Sequence, residues 1–202
     1  MNNIEKKKCE DLLEYIEFNL PDNIEVKGEI ALDVLVLNVD PENLIRLLFF
    51  LRDNAGCLFK QLVDVCGVDF PNREKRFEVV YNLLSLNHNI RMRVKTSVDE
   101  EGEVPSATVV FKSADWLERE VFDMYGVNFI YHPDLRRILT DYGFEGHPQR
   151  KDFPVTGYKE VRYDEKKKKV VYEDVKLDQE FRSFEFLSPW EGTEYVTAEE
   201  SE

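Results

Sequence analysis

The sequence predicts an α+β fold: a mostly antiparallel sheet with helices on one face, followed by a long extended C-terminal arm. Three observations support this prediction. Apolar residues recur at helical spacing in short, separate segments. Between residues 59 and 98, strand-like segments follow one another through short turns, which favours antiparallel neighbours. After residue 141 aliphatic residues become scarce, while aromatic residues remain frequent.

The first two predicted elements are a helix and a strand. Apolar residues from Ile4 to Ile16 lie at helical spacing, and Pro21 ends this helix. Residues 29–39 alternate between apolar and polar side chains, which is typical of a single strand. The residues predicted on one face of that strand are Ile30, Leu32, Val34, Val36 and Asn38.

Helices flank the remaining predicted strands. Asp40 and Pro41 provide an N-cap and a first-turn proline for a helix that runs to about Asp53. A later helix has Ser113 as its N-cap and Gly126 after its last residue. Between these two helices we predict strands over 59–70, 76–86 and 90–98, with a tight turn over 87–89 and a loop over 99–105. The later helix is predicted over 114–125.

The composition changes after residue 141. Residues 141–202 contain eight Val or Leu residues but 11 of the chain's aromatic residues, and so few aliphatic side chains cannot form an independent core. We therefore predict an α+β domain over residues 1–130 and an aromatic-rich arm over residues 131–202 that docks on a partner subunit. The alternative is an arm that folds back on its own domain. Lys166–Lys169 is predicted to be a solvated hairpin tip.

Charge and cysteine content exclude several classes of protein. The formal net charge of −14 argues against a general nucleic-acid-binding protein and against direct adhesion to an anionic membrane. Cys9, Cys57 and Cys66 are too few and too scattered for a disulfide framework or a four-cysteine cluster, and we expect small buried side chains. No apolar segment has the length of a membrane span, and the N-terminal sequence does not resemble a targeting signal.

Candidate catalytic residues are sparse. His132 and His147, with Glu120 or Asp123, could act as ligands in a metal-dependent hydrolase. No short-spaced ligand pair supports this hypothesis, and both histidines precede proline in turn-like sequence. The competing interpretation is structural, because opposite charges alternate densely from Glu118 onward and would form ion pairs at the junction of domain and arm.

That charged region also carries a family resemblance. The run WLEREVFDMYG at residues 116–126, with HPDLRRILTDYGFEGHP at 132–148 and RKDFP at 150–154, resembles the signature of the C subunit of respiratory complex I. This is the 30 kDa subunit family of NADH:quinone oxidoreductase. The resemblance extends to SPWE at residues 188–191, whereas the first hundred or so residues are similar only in length and pattern.

The resemblance implies a function for the chain. It would be an accessory subunit of the peripheral arm, without a catalytic site, metal or cofactor of its own, because FMN and the Fe–S clusters belong to partner subunits. It would hold those subunits in register, chiefly subunits D and B, so that electrons pass from NADH to quinone. The alternative assembly is a membrane-bound hydrogenase with a homologous scaffold subunit.

Location and interface residues follow from the same resemblance. We expect a peripheral protein on the cytoplasmic side of the bacterial inner membrane, held there through its partners; the alternative is the matrix side of the mitochondrial inner membrane. The expected interface or structural residues are Glu118, Arg119, Glu120, Asp123, His132, Arg136, Arg137, Arg150, Asp152, Phe153 and Trp190.

Overall fold

The computed structural model describes residues 3–21, 23–32, 34–177 and 179, with side chains from residue 7 onward. The helices are α1 (Asn3–Asn19), α2 (Pro41–Asp53) and α3 (Ala114–Tyr125), with a 3-10 turn at Ala107–Val109. The strands are β1 (Val26–Ala31), β2 (Val34–Val39), β3 (Gln61–Asp69), β4 (Phe77–Ser85), β5 (Ile90–Val98), β6 (Glu103–Pro105), β7 (Asn128–Ile130), β8 (Lys159–Asp164) and β9 (Lys169–Asp174).

The central sheet has five strands in the order β1-β2-β5-β4-β3. Neighbouring strands in this sheet run antiparallel, with one exception: β2 and β5 run parallel, with Leu35 opposite Met92. Strands β6 and β7 form a separate parallel pair. The α+β class predicted from the sequence is therefore confirmed, and one parallel pairing makes the main sheet mixed.

One face of this sheet contacts all three helices. Alternate residues of β4 and β5, such as Val79, Tyr81 and Val94, are fully buried and belong to one apolar cluster. The same cluster contains residues from each helix, namely Leu12, Ile16, Leu44, Leu47, Leu48, Leu51 and Val121. Val36 and Val80 are also buried, but they lie outside this cluster because they project from the opposite face. The helices thus lie on one side of the sheet, as predicted.

The single strand predicted over residues 29–39 is wrong. The chain forms a hairpin of β1 and β2 instead, with Ala31 opposite Val34. Leu32 precedes β2 with a positive φ of 48° and is 93% exposed. Reversal of the chain changes which alternate residues face the helices, so Leu35, Leu37 and Val39 belong to the apolar cluster, whereas Val36 is buried on the opposite face.

The other predicted boundaries agree closely with the structure. Helix α3 has the predicted limits, and Gly126 adopts the left-handed conformation with φ 79°, but the Ser113 side chain does not make the predicted cap hydrogen bond. Helix α2 begins at Pro41 and ends at Asp53. The Asp40 carboxylate does not cap α2, however, because it pairs with Lys75 at 2.9 Å. The predicted loop over 99–105 contains the short strand β6.

The chain divides into two compact units, one ending at Val155 and the other beginning at Thr156. In the second unit β8 and β9 form an antiparallel hairpin, with Asp164 opposite Lys169, so the lysine run does lie at its tip. The division into residues 1–130 and 131–202, and docking of the arm on a partner, stay predictions. Trp190 lies outside the described residues.

Candidate functional site

The densest cluster of predicted interface residues is built on α3 and on the segment that follows it. The helix places Glu118, Arg119 and Asp123 within six residues, and all three side chains are buried. The chain then forms β7 and continues as irregular segments to Val155. These irregular segments have few ladder hydrogen bonds, so side chains of α3 must supply many of the partners that hold them.

Glu118 contacts the 3-10 turn in front of α3. Its carboxylate accepts hydrogen bonds from the Ser106 hydroxyl at 2.6 Å and from the Ala107 backbone N–H at 2.7 Å. The side chain is fully buried, and burial raises its pKa to about 7. The negative charge of Asp115 also raises this pKa, whereas the two hydrogen bonds lower it. Glu118 therefore anchors the turn at the cost of holding an ionisable group away from water.

His132 is held by backbone groups on both ring nitrogens. Its Nε2 lies 3.0 Å from the Asp115 carbonyl oxygen, and its Nδ1 accepts from the Asp134 N–H at 3.1 Å. Because a carbonyl only accepts, the proton must be on Nε2. The imidazole is completely buried and lies 3.9 Å from Glu118. The ring thus fastens the start of the segment after β7 to the first turn of α3.

Arg119 and Asp123 hold the next part of this segment. Arg119 donates to the carbonyl oxygens of Arg136 and Arg137 at 3.0 and 3.1 Å. The Asp123 carboxylate accepts from the backbone N–H groups of residues 138, 139 and 140, from the Thr140 hydroxyl, and from Arg137 Nη1 at 3.0 Å. Burial acts to raise the pKa of Asp123, but the hydrogen bonds from residues 138–140 outweigh it and lower that pKa to about 2.

Residues 147–150 close the C-terminal end of α3. Three carbonyl oxygens that have no partner within the helix are bound here: that of Asp123 by His147 Nδ1 at 2.9 Å, that of Met124 by the Gln149 N–H at 3.1 Å, and that of Tyr125 by Arg150 Nε at 2.6 Å. The Arg150 cation also suits the negative end of the helix dipole. It lies over the Phe77 ring, 4.8 Å from the centroid.

Gly126 is required by this arrangement for two reasons. Its φ of 79° is a backbone conformation that residues other than glycine rarely adopt. A Cβ atom would also lie 2.5 Å from Arg150 Nη2 and 2.6 Å from His147 Nε2. The glycine that ends α3 therefore lets the two capping side chains approach the backbone.

A second ionic cluster joins the start of β4 to the end of the first unit. Arg76 donates to the fully buried Asp69 carboxylate at 2.7 and 2.9 Å, and also pairs with Glu100 and with Asp152. Asp69 also accepts from the Lys151 N–H at 2.7 Å. Hydrogen bonds from Arg76 lower the pKa of both Asp69 and Asp152. The cluster fastens residues 151 and 152 beside the β3–β4 turn.

The predicted site residues thus have different environments. The cluster on α3 brings together Glu118, Arg119, Asp123, His132, Arg137 and Arg150. Asp152 belongs to the Arg76 cluster, and the Phe153 ring lies 5.9 Å from that of Phe144. Glu120 is exposed, and the 71% exposed Arg136 side chain pairs with Asp134.

Sequence reasoning missed Ser106, Asp69 and Arg76. Asp69 is the last residue of β3, and Arg76 immediately precedes β4. The two strands are paired, with Asp69 opposite Phe77. A hairpin between these strands was predictable, so an acid at the end of one and a base at the start of the next could have indicated the pair. Ser106 follows a short strand and offered no comparable signal.

The geometry also bears on the metal-ligand hypothesis. Both nitrogens of His132 contact backbone groups, and His147 uses Nδ1 on the Asp123 carbonyl. Asp123 is occupied by five donors. Within the described part of the chain, no group of three His, Cys, Asp or Glu side chains is placed to hold a metal ion.

The cysteines are placed largely as expected. Cys9 and Cys57 are buried in the apolar core. Cys66 is half-buried and donates to Asp64 at 2.9 Å. Burial raises the pKa of the Cys57 and Cys66 thiols to about 11, so both are protonated near neutral pH.

Large apolar side chains surround the cluster on the solvent side. Trp116 is 68% exposed at the start of α3, and Tyr131, Leu139 and Tyr142 are 89%, 61% and 96% exposed in the segment that α3 holds. We call these four residues the α3 surface. Trp116 lies on α3 itself, and His132, Ile138 and Thr140, which flank Tyr131 and Leu139, are hydrogen-bonded to α3 residues, so these three exposed positions are fixed.

Comparison with known proteins identifies the family. Residues 37–159 match the family described as respiratory-chain NADH dehydrogenase, 30 Kd subunit. The chain belongs to this family. It is 61% identical over 190 residues to the NADH-quinone oxidoreductase C subunit of Paramagnetospirillum magneticum, covering 94% of this chain and 96% of that one. It is 57% identical to the corresponding protein of Rhodospirillum rubrum, covering 95% and 91%.

A solved structure is also similar to this member of the 30 Kd subunit family. It is that of the membrane-bound sulfane sulfur reductase, described as an archaeal respiratory membrane complex, with a TM-score of 0.62 and 25% identity. The similarity covers 73% of this chain and 86% of that one. The family resemblance seen in the sequence is therefore confirmed. Among the described helices, none is long and apolar enough to cross a membrane.

Proposed function

We propose that this chain is an accessory, cofactor-free scaffold in the peripheral arm of proton-translocating NADH:quinone oxidoreductase. In this role it holds cluster-bearing and quinone-site subunits in register, with subunits D and B as its chief partners. Its partners keep it on the cytoplasmic side of the bacterial inner membrane, and electrons pass from NADH through FMN and Fe–S clusters outside this chain. The names of its relatives support membership of this complex.

One observation carries the scaffold role. Most of the charged groups that could perform chemistry on α3 are already engaged in holding this chain's own backbone, while the α3 surface projects large apolar side chains to solvent. Apolar and aromatic side chains on a rigid support are typical of protein interfaces, where aromatic residues supply much of the binding energy. The cluster therefore acts as internal support, and the α3 surface is the part offered to a partner.

The test replaces the resident 30 kDa subunit of a bacterial complex I with this chain and with a variant of the α3 surface. Trp116→Ala combined with Tyr131→Ser should lower the amount of assembled complex by more than tenfold, because truncating one aromatic anchor alone costs about 2 kcal/mol and about 1.4 kcal/mol already corresponds to tenfold. NADH:quinone turnover per assembled complex should stay unchanged. The matched control is Leu86→Ser, which removes a 70% exposed apolar side chain at the β4–β5 turn.

Arg136→Ala is a second probe, of the exposed segment between Tyr131 and Leu139. The Arg136 side chain is 71% exposed, so its removal should affect folding of the chain little. Any fall in assembled complex would then report contact with a partner. Normal assembly with lost turnover in these variants would contradict the scaffold role and indicate a direct part in catalysis.

A second candidate is a scaffold subunit of another membrane-bound respiratory complex, such as a hydrogenase. The similarity to a chain of the sulfane sulfur reductase complex supports this alternative. Affinity purification from solubilised membranes distinguishes the two. Flavin, cluster and quinone-site subunits with NADH:quinone activity would support complex I, whereas hydrogenase subunits would support the alternative.

A further inference from the structure

The face of the central sheet opposite the helices has an unusual charge pattern. Residues of β5 alternate so that Met92, Val94 and Thr96 face the core, while Arg91, Arg93 and Lys95 project from the other face. β5 is the middle strand of the five, so these three bases form a row along the centre of the face. We call this row, with its surroundings, the basic sheet face. Such a row is unexpected in a chain of formal net charge −14.

The three bases differ in their ion pairs within the part of the chain that the structure describes. Lys95 pairs with Glu78 at 3.0 Å, and Glu78 also lies 3.5 Å from Arg73. Neither Arg91 nor Arg93 forms an ion pair with a residue that the structure describes. A guanidinium group presents several donors in a fixed fork, which suits carboxylate recognition. Arg91 and Arg93 are thus available for acidic groups outside the first unit.

The surroundings of the row favour a folded protein as the occupant. The row of residues across Arg93 contains Asp64 and Asn82 on one side and Val36 and Glu29 on the other. Acids on both flanks would repel the continuous negative charge of a nucleic acid. Val36 and Val80 also project from this face, but they are only 1% and 8% exposed, so the face that a partner meets is mainly polar and charged. A protein partner whose surface carries separate carboxylates, spaced to meet Arg91 and Arg93, fits this charge pattern.

The area of the basic sheet face limits how much of an interface it can form. Five strands at ~4.8 Å and six residues at ~3.3 Å give a face of roughly 500 Å². A standard interface buries about 800 Å² on each partner. The basic sheet face is therefore large enough to matter, yet it would form one part of a larger contact, as expected for a chain that contacts its complex through more than one surface.

We propose that the basic sheet face binds an acidic surface of another protein subunit of the same respiratory complex, with Arg91 and Arg93 as the contact cations. The proposal rests on the proposed scaffold function, because it assumes that the chain is held by partner subunits. It adds a second contact, on the opposite side of the sheet from the helices, and it specifies the chemistry of the partner.

The test again uses the assembled complex in a bacterium that lacks its own copy of the subunit. Arg91→Glu combined with Arg93→Glu should lower the amount of this chain that co-purifies with the complex about tenfold, because reversed charges face partner carboxylates. The matched control is Arg46→Glu with Lys112→Glu, which makes the same charge change at exposed positions outside the face and should have no effect. The thermal midpoint of the purified variant checks that it remains folded.

A second variant keeps the charge and identifies the partner. Arg91→Lys combined with Arg93→Lys introduces amines that a carbodiimide can join directly to carboxylates in contact with them. Mass spectrometry should find these positions linked to Asp or Glu residues of one other subunit. Links confined to this chain, links to several unrelated proteins, or retention of the complex after charge reversal would each overturn the proposal.

The two proposals can fail separately. If the chain co-purifies with the complex and the α3 surface variants reduce assembly, but the basic sheet face gives neither crosslinks nor a charge-reversal effect, the scaffold role stands and this inference fails. If nucleic acid rather than protein is recovered at the face, this inference also fails. If the chain does not associate with any respiratory subunit, both proposals fail.

Discussion

Replacing Asp123 by alanine tests whether one carboxylate holds the segment after α3. The substitution removes the acceptor for three backbone N–H groups, the Thr140 hydroxyl and Arg137 Nη1. The backbone donors belong to residues 138–140, whereas Arg119 holds the two residues before them. We expect the free energy of unfolding to fall and residues 138–140 to detach from the helix first.

The size of the effect can be worked out in two ways. A hydrogen bond to a charged group contributes about 1.5–3 kcal/mol, and water can replace part of this because Ile138 and Thr140 are half-buried and Leu139 is exposed. The lowering of the Asp123 pKa from 3.8 to about 2 corresponds to roughly 2–3 kcal/mol at ~1.4 kcal/mol for each pH unit. The pKa route therefore sets the scale, and the hydrogen bonds that water cannot replace make the loss no smaller, so we expect Asp123→Ala to cost about 3 kcal/mol.

The assay is urea unfolding of the full chain at neutral pH, followed by circular dichroism. Glu120→Ala is the matched control, because Glu120 is an exposed acid three residues earlier on the same helix. It should change the free energy of unfolding by less than about 0.5 kcal/mol. Hydrogen exchange should show faster exchange of the 138–140 amides in Asp123→Ala alone.

The pH dependence supplies the refutation. Because the pKa of Asp123 is lower in the folded chain than in the unfolded chain, its stabilisation is complete above about pH 5 and is lost as the pH falls towards 2. The difference between wild type and Asp123→Ala should therefore shrink below about pH 4. A difference that does not change with pH, or equal losses in Asp123→Ala and Glu120→Ala, would refute the reasoning.

Two further substitutions test other parts of the structure by urea unfolding. Burial raises the pKa of Glu118 to about 7, so the folded chain holds this proton more tightly than the unfolded chain. As the pH rises from about 4.5 to above 7, the free energy of unfolding of the wild type should therefore fall by about 3 kcal/mol relative to that of Glu118→Gln. A difference between the two proteins that stays constant with pH would contradict this. Arg76→Met should cost about 3–5 kcal/mol, since it leaves the fully buried Asp69 carboxylate without its guanidinium. Lys75→Met, which breaks an exposed pair with Asp40, should cost less than about 1 kcal/mol, and equal losses would show that burial is not the cause.

Local signals explain which elements could be predicted. The limits of helix α3 are predictable because Ser113 and Gly126 mark its two ends. The extent of strand β5 is predictable as well, since alternation runs unbroken from Ile90 to Val98 and a turn precedes it. These elements depend on residues close in sequence, so their pattern is visible without knowledge of the fold.

Prediction failed where distant residues decide the structure. Residues 29–39 alternate continuously, and the hairpin of β1 and β2 depends on the fit of Leu35 and Leu37 beneath the helices. The parallel pairing of β2 with β5 has no local signal either, because Leu35 and Met92 are 57 positions apart in the sequence. Which alternate set of β2 faces the helices became visible only with the core.

The candidate site was predictable in its residue types but not in its bonding. Sequence spacing brought Arg119 and Asp123 to one part of α3, and both take part in the cluster. Many of their partners are backbone N–H and carbonyl groups, which nearly every residue possesses and which therefore leave no mark in the sequence. Trp116 and Tyr131 were equally hard to assign, because only the structure shows that they face solvent.

The position of β2 beside β5 has a consequence for synthesis on the ribosome. The β1–β2 hairpin and α2 emerge early, but β2 cannot gain its second neighbour until residue 98 has left the exit tunnel. In the meantime Leu35 and Leu37 lack the wall that β5 provides. Closing this long-range pairing should be the slow step of folding, since the entropy of a long loop must be lost first. Nascent chains stalled before β5 should therefore bind chaperones, and those stalled well beyond it should be released.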